Sequence, residues 1–234
     1  MSIWTSCQGK NYFQSLHHKP WRVVEAQHIL SARDLVDTSE EHDILENLIE
    51  QSKPKIQSQK DYLIYTPFRY PPLQYGSRFG SRFEPSLWYG SLELKTALAE
   101  VAYYIKKFHL DSHANLSYIN TTHTAFNVLI NTSSGIALNE PPFKAFAEDI
   151  SHPNSYQLSQ ELGAEMRQSR VKAFVYTSAR CKEQLSNIAA FEPSVFKAIK
   201  EQYAFNQQTW QCIATKESVE FSRMNILDKT RMIF

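Results

Sequence analysis

Glycine is scarce in this chain, with six in 234 residues: Gly9, Gly76, Gly80, Gly90, Gly135 and Gly163. Neither G-x-x-x-x-G-K nor G-x-G-x-x-G can be written with them, which excludes the Walker and Rossmann phosphate cradles. Cysteine is scarcer still. Cys7, Cys181 and Cys212 lie far apart and form no C-x-x-C, so neither a disulfide framework nor a thiolate zinc site is expected, and a reducing compartment fits. No apolar run approaches the roughly 18 to 20 residues of a membrane span. The opening MSIWTSCQGKNYFQ has neither the charged start nor the apolar stretch of a secretory signal. A cytoplasmic protein with no membrane association is expected. An excess of charge is also missing: 25 Lys and Arg against 24 Asp and Glu leave a net charge of +1. That balance argues against a surface that grips nucleic acid as a whole, while leaving room for a local basic patch.

What is present reads as a globular chain of α+β class, a mixed sheet with flanking helices. Residues 1–60 read as an N-terminal helical arm and 61–234 as the main domain. Within the arm, 21–36 is expected to hold a short helix. Asp37 to Glu41 has capping character before Ile44, Leu45, Leu48 and Ile49 at helical spacing. In the main domain, Tyr62–Tyr65 reads as a strand, 66–83 as a loop, Leu87–Tyr89 as a strand and Ser91–Phe108 as a helix. Strands follow at 124–130, 171–177 and 187–191, a helix at 156–170, and a hairpin across Lys216-Glu217.

Tyr62 to Phe83 stands out. It holds Arg69, Arg78 and Arg82, four tyrosines (Tyr62, Tyr65, Tyr70 and Tyr75) and no acidic residue. Arginine matches phosphate bidentately and tyrosine stacks on flat rings, so a dinucleotide suits this composition. The plain alternative is a surface loop whose arginines pair with carboxylates elsewhere. Glu100 follows on the next helix, roughly 130° from the centre of its apolar stripe by the 100° step. It is either a solvated glutamate or, with Tyr103 and Tyr104 beside it, a carboxylate able to steady a developing cation. Ser178 ends the strand over 171–177 and shares a face with Phe174 and Tyr176, with Arg180 on the same side. It points either into a cleft or back into its own turn.

Several other patterns carry nothing. Gly76-Ser77-Arg78-Phe79-Gly80 has its serine off-centre for a nucleophile elbow. His109 and His113 have metal-like spacing, but no HExxH exists, and two surface histidines are expected. His17-His18 has no partner, and Cys181 is expected to be a packed thiol.

Phe68-Arg69-Tyr70, Ser77-Arg78-Phe79-Gly80-Ser81-Arg82-Phe83, Leu87-Trp88-Tyr89-Gly90-Ser91, Ala97-Leu98-Ala99-Glu100-Val101 and Tyr176-Thr177-Ser178-Ala179-Arg180 together resemble the RES domain, over about 62–215. The resemblance implies an ADP-ribosyltransferase-like fold and catalytic residues Arg69, Glu100 and Ser178. It also implies a bacterial toxin that consumes NAD+ as substrate by hydrolysis, phosphorolysis or protein ADP-ribosylation, held inactive by an Xre-type antitoxin. Gln160 and Gly163 match a family Gln-x-x-Gly pattern, but Gln157 stands where a hydroxyl residue is usual. Phe83 and Glu84 replace a tryptophan–asparagine pair.

On this reading Arg69 and Arg82 hold the pyrophosphate, with Arg78 a third, and Tyr70 or Tyr89 orients the nicotinamide ribose. Glu100 stabilises an oxocarbenium-like transition state, and Ser178 bonds ligand or glutamate. No metal and no direct nucleic-acid contact are expected. Two other readings stand beside it: a single-stranded nucleic-acid platform, and a silent RES-like protein that only binds its partner. The arm is a cover, a homodimer support or an antitoxin dock, and its Trp4 and Trp21 are core residues or interface anchors.

Overall fold

The computed structural model describes residues 1–26, 35–52, 62–70, 72–114, 116–227 and 229–234. In chain order the elements are α1 (Ile3–Ser6), β1 (Gln14–His18), β2 (Trp21–Glu25), α2 (Ser39–Ser52), α3 (Tyr62–Arg69) and β3 (Trp88–Ser91). Then come α4 (Leu94–Asp111), β4 (Ile119–Ala137), α5 (Ala147–Ile150), α6 (Gln157–Gln168), β5 (Ala173–Thr177) and β6 (Ser186–Ala190). The chain ends in β7 (Phe196–Lys197), β8 (Ala204–Ala214), β9 (Val219–Arg223) and β10 (Arg231–Ile233). The class is α+β with a mixed sheet, as expected.

β4 organises that sheet. Its 19 residues run about three times the usual strand length, enough to serve several partners in succession. Residues 123–127 pair with β2, 119–128 with β8, and 135–137 with β5 in parallel. β2 meets β3 at Trp21 opposite Ser91, β3 pairs with β6, and β6 with β5. The path β4–β2–β3–β6–β5–β4 therefore closes on itself. Alternation along these strands divides the side chains. Trp88, Ile188, Ala190, Ala173 and Val175 join one buried cluster, with Ile64 and Tyr65 of α3. Tyr89, Ala189, Phe174 and Tyr176 join another, with Phe79, Leu162 and Met166.

Three expectations need correction. The segment 62–65 is the first turn of α3, not a strand, and the helix runs on to Arg69, so the loop expected from residue 66 starts only after it. Ile64, Tyr65 and Phe68 recur at helical spacing and pack in the cluster of Trp88 and Phe196, with Phe68 edge-on to Phe196 at 6.4 Å. Trp21–Glu25 is a strand and not a helix, because β3 and β4 bond it from both sides; 27–34 lie outside the described residues. His109 is buried, with Nε2 2.9 Å from the Leu116 carbonyl oxygen, rather than on the surface. Residues 53–60, the end of the segment read as the arm, also lie outside the described residues.

The segment read as an arm divides accordingly. Its first 26 residues belong to the sheet and core: Trp4 stacks on Phe143 at 5.9 Å, and Leu16 and Val23 are buried. Both tryptophans face core clusters, Trp4 fully and Trp21 in part. α2 forms where capping predicted it. Thr38 Oγ1 accepts the Glu41 N–H at 3.1 Å, while Glu41 Oε2 accepts the Thr38 N–H at 3.2 Å. Its Ile44, Leu48 and Ile49 are exposed.

His123 of β4 is 3% exposed and lies edge-on to Phe221. Burial pulls its pKa down to about 4 from 6.5. The unfolded chain therefore binds a proton that the folded one refuses, and stability falls as pH drops from 6.5 towards 4. Denaturant unfolding is expected to show a loss of about 2 kcal/mol across that window, largely absent from His123→Leu. An identical pH dependence in that variant contradicts the assignment.

Candidate functional site

Glu100 owes its position to small neighbours. On α4 the apolar stripe buries Ala97, Leu98 and Ala102, but Thr96 and Ala99 are buried too. The buried arc is therefore wider than the stripe, and it carries Glu100 half out of water. A half-buried carboxylate needs donors. Ser178 Oγ–H donates to Glu100 Oε1 at 2.7 Å and Asn187 Nδ2–H to the same oxygen at 2.6 Å. Ser178 is itself held by the N–H groups of Arg180 and Cys181, each 3.1 Å from its Oγ. The face shared by Ser178, Tyr176 and Phe174 is thus the one that meets α4.

A second wall comes from the arginine-rich loop. Ser77 and Gly80 close a tight turn, with the Ser77 N–H donating to the Gly80 carbonyl at 2.7 Å. Arg78 and Phe79 occupy its tip. Phe79 is fully buried, edge-on to Phe174 at 4.6 Å and to Tyr176 at 4.8 Å. Such burial contributes about 1.5–3 kcal/mol, so Phe79 anchors the turn and delivers Arg78 with it. Arg78 is 9% exposed, donates to the His152 carbonyl at 2.8 Å and lies 4.7 Å over the Tyr156 ring. Arg180 lies 3.4 Å over Tyr103 and reaches the Tyr156 hydroxyl, which meets Tyr104 Oη at 3.2 Å. Neither guanidinium is ion-paired to a carboxylate among the described residues.

The electrostatics tie both walls to Glu100. Burial first, then the Glu100 charge, push the Tyr176 hydroxyl well up, while the Arg78 charge opposes them. Burial and the bond to Tyr156, with Glu100 adding to them, raise Tyr104 as well. Glu100, Ser178, Asn187, Tyr176, Arg78, Tyr104, Tyr156 and Arg180 therefore form one constellation. It pairs a held carboxylate with two guanidinium groups and aromatic faces, the chemistry a phosphorylated ligand with flat rings requires.

A family model for the RES domain matches residues 54–214. The chain belongs to the RES domain family. No curated protein matches it. Among solved structures, a chain of the M. tuberculosis MbcT–MbcA toxin–antitoxin complex is similar over 88% of this chain and 90% of that one. The TM-score is 0.53 at 8% identity, so the likeness is one of fold.

The other residues singled out from this RES sequence fall as follows. Arg69 is half-buried at the end of α3, and Tyr70 follows it, exposed, its carbonyl accepting from Ser86 Oγ. Arg82 lies on the surface, 4.5 Å over the ring of Phe83, itself 83% exposed. Tyr89 is committed to the turn: its hydroxyl bonds Ser77 Oγ at 2.8 Å and accepts the Phe79 N–H, and burial pushes its pKa up to about 12. Of the three arginines between Tyr62 and Phe83, it is Arg78 whose charge is felt at Tyr89 and Tyr176.

The departures from family pattern have local roles. Glu84 Oε2 accepts the Ser81 N–H and the carboxylate faces Arg167, which in turn bonds the Pro85 carbonyl. Gln157 is exposed at the start of α6. Asn187 and Tyr156 were missed from sequence. The signal for Asn187 was a polar residue opening an otherwise apolar strand, opposite Ser91.

The Gln-x-x-Gly pattern explains itself. Gln160 Nε2 donates to the Tyr75 and Ser77 carbonyls at 3.1 and 2.9 Å. One turn on, a Cβ at Gly163 would stand 2.1 Å from the Phe79 carbonyl oxygen. α6 thus presses directly on the backbone that carries Arg78. Gly163→Ala is expected to destabilise by about 1–3 kcal/mol through overpacking, read as a lower denaturant midpoint. A neutral or stabilising effect contradicts this contact.

Proposed function

We propose that this RES protein cleaves the nicotinamide–ribose bond of NAD+ and acts as the toxin of a toxin–antitoxin pair. The observation that carries the reading is the carboxylate of Glu100, held on one oxygen by Ser178 and Asn187 and faced by the Arg78–Tyr156–Arg180 wall. Family membership supports it, as does a fold shared with a member of a toxin–antitoxin complex. An Xre-type antitoxin is the partner this reading implies.

In the reaction the C–N bond to the anomeric carbon breaks and nicotinamide leaves with the bonding pair, becoming neutral. Little acid assistance is needed for such a leaving group. Positive charge builds on the ribose, and the Glu100 carboxylate stabilises it. Arg78 supplies charge for the pyrophosphate, joined by Arg69 from the end of α3 and Arg82 from the loop that carries Arg78. Tyr70 stacks at the ribose end, and Tyr89 contributes by bracing the turn. The acceptor oxygen belongs to water, phosphate or a protein side chain. It bonds to the anomeric carbon and releases its proton, so product identity reveals which acceptor serves.

Nicotinamide release from NAD+, followed by chromatography, tests this. Glu100→Ala is expected to lower it by about 10³-fold or more, the scale of losing a preorganised electrostatic group, with the fold intact and a lower thermal midpoint, because the buried Ser178 and Asn187 donors lose their acceptor. Arg69→Ala is expected to abolish it too. Undiminished release from the Glu100 variant overturns the assigned role.

A further inference from the structure

Three adjacent strands each place one polar side chain in a single row beneath α4. Ser91 of β3 is the register partner of Asn187 in β6, and Asn187 is the partner of Tyr176 in β5. The same face otherwise carries Tyr89, Ala189 and Phe174. Ser91 and Asn187 are each 2% exposed, so their polar atoms must be satisfied internally. Ser91 Oγ–H donates to Asn187 Oδ1 at 2.6 Å, and the Asn187 side chain partly offsets the rise that burial imposes on the Tyr176 hydroxyl. With Oδ1 occupied as acceptor, the amide can turn only one way. Nδ2 points at Glu100 and donates to Oε1 at 2.6 Å.

Oε1 thus receives two donors, from Asn187 and from Ser178, while among the described residues Oε2 accepts none. The terminal torsion of a glutamate is broad, and one hydrogen bond leaves it a hinge. Two donors converging on one oxygen, from the end of β5 and the start of β6, leave one orientation. We propose that Asn187, backed by Ser91, is a positioning residue that sets the rotation of the Glu100 carboxylate and presents Oε2 to the reacting carbon. This rests on the reaction proposed above. A purely structural Asn187, one that only satisfies a buried carboxylate, would affect folding and not turnover.

The test is steady-state nicotinamide release by the full chain, with thermal unfolding, for wild type, Asn187→Ala, Ser91→Ala and the double variant. Asn187→Ala is expected to lower kcat about 100-fold with KM changed less than about threefold, the signature of an interaction made in the transition state. Ser91→Ala, which only frees the amide, is expected to lower kcat about tenfold. The double variant is expected to match Asn187→Ala, because Ser91 acts through Asn187. Full kcat in Asn187→Ala, or losses that multiply in the double variant, overturns the positioning role. Should Asn187→Ala not fold, full kcat in Ser91→Ala overturns it equally. No turnover by wild type overturns the reaction itself, and the positioning role with it; turnover retained by the variants overturns the positioning role alone.

Discussion

A carboxylate withdrawn halfway from water must be met by donors, and the way Glu100 is met shapes the rest of the site. Its donors come from the end of β5 and the start of β6, so α4 must cross those strands at that level. The crossing is possible because Thr96, Ala97, Ala99 and Ala102 are small enough for the helix to lie close. Enlarging any of them would lift Glu100 away from Ser178 and Asn187, leaving buried polar groups without partners at about 1–3 kcal/mol each.

The opposite wall depends on a different force. Arg78 carries a charge into a nearly dry position, which no arginine occupies without help. Phe79 supplies it by burying next to Arg78 in the tight turn, and Tyr89, Gln160 and Gly163 hold that turn from three sides. Apolar burial on one residue thus places a guanidinium on its neighbour. The two walls meet through Tyr176, which packs on Phe79 and senses the charges of both Glu100 and Arg78.

Much of this was legible in the sequence, and the gaps have physical causes. Strand alternation placed Ser178 on the face of Phe174 and Tyr176, since a period of two leaves no other choice. Glu100 was harder, because the apolar stripe counted Ala97 and Ala102 but left out Thr96 and Ala99, whose burial widens the arc towards it. Arg78 ranked third among the loop arginines, as nothing local shows that Phe79 is an anchor. Tyr62–Tyr65 carried strand-like composition, but Ile64, Tyr65 and Phe68 settle on Trp88 and Phe196 only as a helix. Strands β1 and β2 escaped notice because pairing with β4 and β3, not local pattern, defines them. They also lie ahead of the family match at 54–214, although β2 closes the sheet and its Arg22 donates to the Tyr89 carbonyl at 2.7 Å. This member of the family therefore completes its site-bearing sheet with residues from outside the shared domain.

The central claim is that one dinucleotide bridges the held carboxylate and the arginine–tyrosine wall. The most direct measurement is a crystal structure with an NAD+ analogue whose glycosidic bond cannot break. The account predicts the anomeric carbon of the nicotinamide ribose within about 4 Å of Glu100 Oε2, close enough for the carboxylate to stabilise positive charge there, and a phosphate against Arg78. An analogue bound elsewhere, with both groups untouched, would contradict it.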